Sequence, residues 1–155
     1  MFRGLNTINL DAKGRLAIPA KFRERLAVLC GGHMVVTIDT EERSLLIYPV
    51  NEWEEIEAKI TSLPTFDPRA RRIQRLLVGH ATDVEIDGSG RILIPPELRG
   101  YAQLEKKLVL VGRSQRLEIW SEENWNAERE KSQATYREML TDKESMSDAL
   151  KNLSW

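Results

Sequence analysis

The feature that most constrains this chain is an internal repeat. The segment Asp11-Ala-Lys-Gly-Arg-Leu-Ala-Ile-Pro19 returns, at an offset of 76 residues, as Asp87-Gly-Ser-Gly-Arg-Ile-Leu-Ile-Pro95. At an offset of 72 residues, 45–48 corresponds to 117–120 and Trp53 corresponds to Trp125. Two copies of about 55 residues are each too small to close a good core alone. We therefore expect the copies to pack together as one pseudo-two-fold unit.

The sequence of each copy predicts the same series of short strands and helices. An alternating strand precedes a tight turn built on Asp-x-x-Gly, and a second strand ends at Pro19 or Pro95. Because proline suits the first turn of a helix, a short helix is expected after each proline, at 20–26 and 96–101. Alternation and β-branched residues predict two further strands per copy, at 34–39, 45–48, 108–113 and 117–120.

Longer helices are expected after the first copy and at the end of the second. Asn51-Glu-Trp-Glu54 resembles a capping box that opens a helix to about Leu63. Asp67-Pro68 starts a linking helix. The predicted apolar positions are Trp53, Ile56 and Ile60 in the first of these helices and Ile73, Leu76 and Leu77 in the second. A C-terminal helix is predicted from after Ser121 to past Leu140.

The remaining apolar residues of the tail, Met146, Leu150 and Leu153, are helically spaced but too few to fold alone. We expect the tail either to fray or to dock on a neighbouring molecule. The predicted organisation is therefore a first repeat at 1–63, a linking helix at 64–78, a second repeat with its helix at 79–140, and a tail at 141–155.

Composition excludes several classes of protein. The longest apolar run, Leu26 to Cys30, is far shorter than the about 20 residues of a membrane span, and it is predicted to be buried. The N-terminus alternates polar and apolar residues, so we expect no signal peptide. The single cysteine forms no internal disulfide, and no Cys/His spacing suits zinc. We expect a cytoplasmic protein that has no metal or cofactor and no membrane partner.

Enzyme chemistry is not expected either. Cys30 has His33 nearby, but a nucleophilic cysteine needs an accessible basic partner, and the run that ends at Cys30 is apolar. His33 and His80 are isolated in the sequence, and there is neither a P-loop nor a dinucleotide-binding glycine turn.

Charge is distributed unevenly along a chain whose formal net charge is −1. Residues 1–25 contain six basic and two acidic residues, whereas residues 122–155 contain five basic and eight acidic residues. Bulk attraction to nucleic acid is therefore weak, but the basic head is suited to a local anionic partner.

The repeated turns leave two interpretations open. Asp11 and Asp87 accept backbone hydrogen bonds at the start of a turn, and Gly14 and Gly90 supply a conformation that other residues resist, which is a structural role. Arg15 and Arg91 follow each turn. Each arginine either pins its own loop to the aspartate four residues earlier, or is aimed by that carboxylate and offers its remaining donors outward.

Three other sets of residues each have a structural and a functional interpretation. Arg23 and Arg99 match between copies, and a position on a solvated helix face is favoured over a role in supporting contact with DNA. The arginines between residues 69 and 75 are better explained as the solvent-exposed face of an amphipathic helix than as a second basic patch that binds DNA. Trp53 and Trp125 are assigned to core or protomer packing rather than to base stacking.

The duplicated motif Asp-x-x-x-Arg, followed by an aliphatic run and proline, resembles the AbrB-type (SpoVT/AbrB-like) swapped-hairpin DNA-binding domain. The duplication, the opening Met1-Phe-Arg-Gly4 and the phrase from Leu10 to Pro19 together resemble the MraZ family of bacterial regulators over residues 1–140. The resemblance implies an α+β, β-rich fold in which two tandem swapped-hairpin repeats form a pseudo-two-fold unit with peripheral helices.

The resemblance also implies a function. Members of this family assemble into rings that bind repeated promoter boxes ahead of the division and cell-wall gene cluster, so we expect a non-enzymatic, nucleoid-associated transcriptional regulator and a homo-oligomer. Double-stranded DNA is the expected partner. The residues that the resemblance assigns to DNA binding are Arg15, Arg91, Lys13, Arg3, Gly14 and Gly90, with Asp11 and Asp87 orienting the loops.

One departure from symmetry and two alternative functions remain. Position 89 is Ser where the first copy has Lys13, so the second loop is one charge weaker. The alternatives are a non-catalytic assembly protein and an antitoxin-like module that neutralises a protein. The duplication disfavours the antitoxin, because relatives of that kind have one copy and a partner-binding tail.

Overall fold

Strand exchange between the two repeats organises the fold. The structure is a computed structural model and describes residues 1–153. Its strands are β1 (Phe2–Asn9), β2 (Arg15–Ala17), β3 (His33–Ile38), β4 (Leu45–Pro49), β5 (Thr82–Glu85), β6 (Arg91–Leu93), β7 (Lys107–Ser114) and β8 (Arg116–Ser121). Its α-helices are α1 (Ala20–Cys30), α2 (Val50–Thr61), α3 (Pro68–Ile73), α4 (Pro96–Tyr101), α5 (Glu122–Thr141) and α6 (Asp148–Lys151). The chain divides into two compact units, residues 1–122 and the residues from 123 onward.

The first unit contains an antiparallel six-stranded sheet of order β1-β7-β8-β4-β3-β5 and a separate two-stranded ribbon, β2-β6. The first strand of each repeat pairs with the third strand of the other, β1 with β7 and β5 with β3. The ribbon likewise joins one strand from each repeat. These exchanged pairs confirm the predicted α+β, β-rich fold of two swapped-hairpin repeats related by a pseudo-two-fold axis.

The main core lies between one face of the sheet, the buried face of the ribbon and the two post-proline helices. Because alternate residues of a strand point to opposite faces, every second residue enters this core. The ribbon contributes Leu16, Ile18, Ile92 and Ile94, and the helices contribute Phe22, Leu26 and Leu98. The sheet contributes Met34, Val36, Ile38, Leu45, Ile47, Leu108, Leu110, Leu117 and Ile119.

A second apolar cluster covers the opposite face of the sheet in the first repeat. Val35, Leu46 and Tyr48 of β3 and β4 pack with Trp53 of α2. Trp53 is 4% exposed and its ring lies 5.7 Å from that of Tyr48. Its assignment to core packing is confirmed.

The post-proline helices begin where predicted, but the capping box at 51–54 is wrong. α2 begins at Val50 after Pro49 and has no side-chain N-cap. The fixed φ of Pro49 prepares the first turn instead. Asn51 lies inside the helix, and its Nδ2 donates to the Leu29 carbonyl over 3.4 Å.

Burial of the whole run from Leu26 to Cys30 is also wrong. α1 continues through this run to Cys30, and a helix buries only one face. Leu26, one turn after Phe22, is fully buried, whereas Val28 is 88% exposed and Leu29 is 46% exposed.

The predicted apolar stripe of the linking helix is correct only in part. α3 begins at Pro68 with Asp67 as N-cap, and it continues into a π-helical segment, Gln74–Val78. The α-helical spacing on which the stripe was predicted does not continue through this segment. Leu77 packs on the second cluster, whereas Ile73 and Leu76 are each 42% exposed.

The second unit contains most of α5, a 3₁₀ turn (Lys143–Ser145) and α6. α5 has the predicted extent. In the described part of the tail, Met146, Leu150 and Leu153 line one cleft of about 480 Å³ together with Tyr136, Met139 and Leu140 of α5. Residues 154 and 155 of the predicted tail lie outside the described residues. Within residues 1–153, no helix is long and apolar enough to cross a membrane.

Candidate nucleic-acid interface

Turn 1, residues 11–15, is organised by the carboxylate of Asp11. Its Oδ1 accepts hydrogen bonds from the backbone N–H groups of Lys13 (2.9 Å) and Arg15 (2.8 Å). Its Oδ2 accepts from Nε of Arg15 over 3.0 Å. The Gly14 N–H donates to the Asp11 carbonyl over 3.0 Å. One side chain therefore fixes both the turn and the direction of the following arginine.

Turn 2, residues 87–91, repeats this arrangement more loosely. Oδ1 of Asp87 accepts from the backbone N–H groups of Ser89 (2.8 Å) and Arg91 (2.9 Å). Nε of Arg91 lies 3.5 Å from Oδ2 of Asp87. The two turns therefore share a backbone, but Arg15 is held more tightly than Arg91.

Both aspartates stay ionised to lower pH than usual. The hydrogen bond from the backbone N–H of Arg15 is the largest cause of the lowered pKa of Asp11; desolvation opposes it, and hydrogen bonds from the Arg15 side chain and the Lys13 N–H lower the pKa further. The backbone N–H of Arg91 is the largest cause of the lowered pKa of Asp87. The carboxylates therefore remain charged partners for the arginines at neutral pH.

The ribbon brings Arg15 and Arg91 together. Arg15 pairs with Leu93 and Arg91 pairs with Ala17, so the two arginines are diagonal neighbours on one face of the ribbon. The Cα atoms of such neighbours are about 7–8 Å apart. Nη1 of Arg91 lies 4.0 Å from Oδ2 of Asp11, a contact between the repeats. The arginine side chains remain 31% and 35% exposed.

The same face of the ribbon contains two apolar residues that the sequence analysis did not assign. Ala17 and Leu93 are exposed there, and Leu93 is 56% exposed, while Leu16 and Ile92 point into the core. Strand alternation in the sequence could have indicated them, because Ala17 and Leu93 are one residue away from the buried Leu16 and Ile92. The outward face is therefore two arginines beside two apolar side chains.

The other predicted residues are not all brought to this face. Lys13 is exposed in turn 1, and Ser89 holds the equivalent place in turn 2. Arg3 lies near the start of β1, eight residues before Asp11, which at 3.3 Å per residue separates them by roughly 25 Å. The structure thus groups Arg15, Arg91 and Lys13 and leaves Arg3 apart.

The turn glycines are required by conformation and by crowding. Gly14 has φ +86° and Gly90 has φ +77°, which is the left-handed region. A Cβ at Gly14 would lie 2.7 Å from Cζ of Arg99, and a Cβ at Gly90 would lie 2.8 Å from Cδ of Arg23. Arg23 and Arg99 are thus half-buried against the turns, and their assignment to a solvated helix face is wrong.

The arginines of the linking helix and the thiol of Cys30 lie away from this face in sequence. Arg69, Arg71, Arg72 and Arg75 are exposed, as on the wet side of a helix. Sγ of Cys30 donates to the Leu26 carbonyl over 3.2 Å, within its own helix. Among the described residues no group of three His, Cys, Asp or Glu side chains could hold a metal ion.

Comparison with known proteins agrees with the duplication. A family model described as "MraZ protein, putative antitoxin-like" matches twice, at residues 1–76 and 77–146. The chain belongs to the MraZ family. The resemblance inferred from the paired turns is thereby confirmed.

Curated MraZ relatives match more than four-fifths of the chain. A protein of Marinomonas sp. (strain MWYL1) is 55% identical over 130 residues, covering 84% of this chain and 86% of the relative. Proteins of Coxiella burnetii (strain Dugway 5J108-111) and Pseudomonas putida (strain GB-1) are 58% and 53% identical, over 130 and 127 residues. The Coxiella match covers 84% of this chain and 86% of the relative, and the Pseudomonas match 82% and 84%. All three are named transcriptional regulator MraZ, the name of a regulator class and not of an enzyme.

Proposed function

We propose that this chain is a sequence-specific DNA-binding transcriptional regulator that reads repeated promoter boxes of the division and cell-wall gene cluster. The observation that supports it best is the pair Arg15 and Arg91, held as neighbours on the outward face of a two-stranded ribbon. The major groove of B-DNA is wide enough to admit a two-stranded β-ribbon. The name shared by the curated relatives supports the regulatory role. The proposal places the protein in the cytoplasm, on the nucleoid.

The roles of the site residues follow from their hydrogen bonds. Nε of Arg15 donates to Asp11, and Nε of Arg91 lies 3.5 Å from Oδ2 of Asp87, so the terminal Nη groups of both arginines can donate to a partner. A guanidinium recognises O6 and N7 of guanine with two parallel hydrogen bonds. Lys13, and separately Arg3, are assigned to phosphates, which add affinity but do not read sequence.

Oligomerisation completes the proposal. One ribbon with two arginines is a small site on a chain whose net charge is −1, and it cannot supply much affinity alone. A ring that presents several ribbons to several boxes gains through effective concentration. Repeated boxes are therefore the expected form of the DNA target.

Fluorescence anisotropy tests the proposal. The purified protein is titrated onto a labelled fragment from upstream of its own gene and onto a scrambled fragment, at several salt concentrations. We expect preference for the native fragment, affinity that falls with salt, and a loss of about 1–3 kcal/mol, roughly 5- to 150-fold, in Arg15→Ala or Arg91→Ala. Arg129→Ala, an exposed arginine on α5, is the matched control.

Two results would contradict the proposal. One is equal binding of both fragments by the unaltered protein. The other is an Arg15→Ala, Arg91→Ala double variant that keeps the native preference while circular dichroism shows it folded.

A second candidate, an antitoxin-like module that neutralises a protein, is favoured by the description of the family model. Its test is affinity purification of the tagged chain from its native cell extract. Recovery of a stoichiometric toxic protein, together with no preference for the native fragment, would favour this candidate over DNA regulation.

A further inference from the structure

Each turn is backed by an arginine that comes from the other repeat. Arg99, in α4 of the second repeat, places its guanidinium against Gly14 of turn 1. Arg23, in α1 of the first repeat, lies in the same way against Gly90 of turn 2. Each arginine sits one helical turn after the proline of its repeat, with its N–H donating to the carbonyl of Pro19 or Pro95 over 3.0 Å.

The backbone next to each arginine holds the same glycine. The Ile94 N–H donates to the Gly14 carbonyl over 2.9 Å, and the Ile18 N–H donates to the Gly90 carbonyl over 2.9 Å. Nε of Arg99 donates to the Ile94 carbonyl over 3.0 Å, which joins the arginine to the same strand end. A strand end and an arginine of one repeat thus enclose the glycine of the other, and both glycines are buried.

The two arginines differ in one respect. Nε of Arg99 is hydrogen-bonded, whereas Nε of Arg23 is buried without a hydrogen-bond partner among the described residues. Turn 2, which Arg23 backs, is also the turn whose Arg91 is the more loosely held. The first repeat therefore supports turn 2 less firmly than the second repeat supports turn 1.

We infer that Arg23 and Arg99 are positioning residues that act across the repeats, each setting the conformation of the turn in the other repeat. The arginine side chain fills the space next to the glycine that the Cβ of any other residue would occupy. It therefore holds the turn in its left-handed conformation and keeps Arg15 or Arg91 aimed outward. The assignment of that aim to DNA reading rests on the proposed function.

Amide hydrogen exchange tests the positioning role without DNA. The Gly14 N–H donates to Asp11, and the Gly90 N–H donates to Asp87, so each amide reports on its own turn. We expect Arg99→Ala to speed exchange at Gly14 about three- to tenfold, the equivalent of one ordinary hydrogen bond, and to leave Gly90 unchanged. Arg23→Ala should do the reverse.

The crossed pattern distinguishes positioning from general destabilisation. Glu24→Ala, an exposed neighbour of Arg23 on α1, is the matched control and should change neither amide. Arg99→Lys and Arg23→Lys keep the charge and a long side chain, and they serve if the alanine variants do not fold; loss of the planar group should still give the crossed pattern. Equal acceleration at both turns, acceleration within the same repeat, or no change would overturn the inference.

Salt titration separates positioning from direct phosphate contact. If Arg99 touched a phosphate, Arg99→Ala would reduce the slope of log affinity against log salt by about 0.9. We expect a loss of affinity for the native fragment with an unchanged slope. If the crossed exchange pattern is found but the unaltered protein does not prefer the native fragment, the positioning stands and the proposed function fails.

Discussion

Replacing Gly90 with alanine tests the turn geometry on which the interface depends. The backbone there has φ +77°, and a Cβ would lie 2.8 Å from Cδ and 2.9 Å from Cζ of Arg23. The left-handed conformation costs a residue with a Cβ about 1–2 kcal/mol. Since Arg23 must also move, we expect Gly90→Ala to lower the free energy of unfolding by at least that amount. The corresponding fall in Tm is roughly 2–8 °C for a chain of this size.

Gly88 provides a matched control in the same turn. It lies outside the left-handed region, and a Cβ there meets no atom of the described residues within 4 Å. Gly88→Ala should leave stability unchanged or raise it by up to about 1 kcal/mol, because alanine restricts the unfolded chain. Thermal and urea unfolding, followed by circular dichroism, measure both variants. Equal effects at the two positions would refute the reasoning.

Three further predictions concern stability. Leu110→Ala, at a fully buried position, should lower the free energy of unfolding by about 2–5 kcal/mol in urea titrations. Arg113→Ala should cost about 1–3 kcal/mol in the same assay, because Nη1 of Arg113 donates over 2.8 Å to Glu118, which is 6% exposed. The lowered pKa values of Asp11 and Asp87 add stability that is present above their ordinary value of 3.8 and lost as the pH falls through the lowered values. Urea midpoints between pH 2 and 5 should therefore show a smaller acid-induced loss in Asp11→Asn than in the unaltered protein.

Local elements were largely predictable, because each depends on neighbours in the sequence. Alternation located the strands, and Pro19 and Pro95 located the helices that follow them. Asp67 was a correct helix start because its carboxylate accepts the Arg69 N–H, whereas Asn51 was not, since Pro49 had already begun the helix.

The failures arose where the outcome depends on distant residues. Nothing near Val28 tells which side of α1 faces the sheet, and nothing near Ile73 indicates that a π-helical turn will rotate the following residues. Strand alternation alone also cannot tell that β2 pairs with β6; the family resemblance implied swapped hairpins, and the structure supplies the pairing itself. Arg23 and Arg99 could be matched between copies, but only the exchanged pairing shows that each reaches the turn of the other.

In the candidate site too, contacts between residues close in sequence were predictable and contacts between distant residues were not. The Asp-x-x-Gly-Arg spacing predicted the local contacts of Asp11 and Arg15, which are four residues apart. The contact between Asp11 and Arg91 joins residues 80 positions apart and depends on the register of the ribbon. The assignment of both arginines to DNA stays a prediction until the binding measurements are made.

Strand exchange also has a consequence for synthesis of the chain on the ribosome. β1 pairs with β7 from Phe2↔Ser114 to Asn9↔Lys107, so its partner is among the last strands to be made. At about 5–20 residues per second, the N-terminal strand waits on the order of ten seconds with an open edge. During that interval a neighbouring nascent chain on the same message offers equivalent strands. Production of this protein should therefore depend on how closely ribosomes follow one another, and slower initiation should reduce mispaired chains.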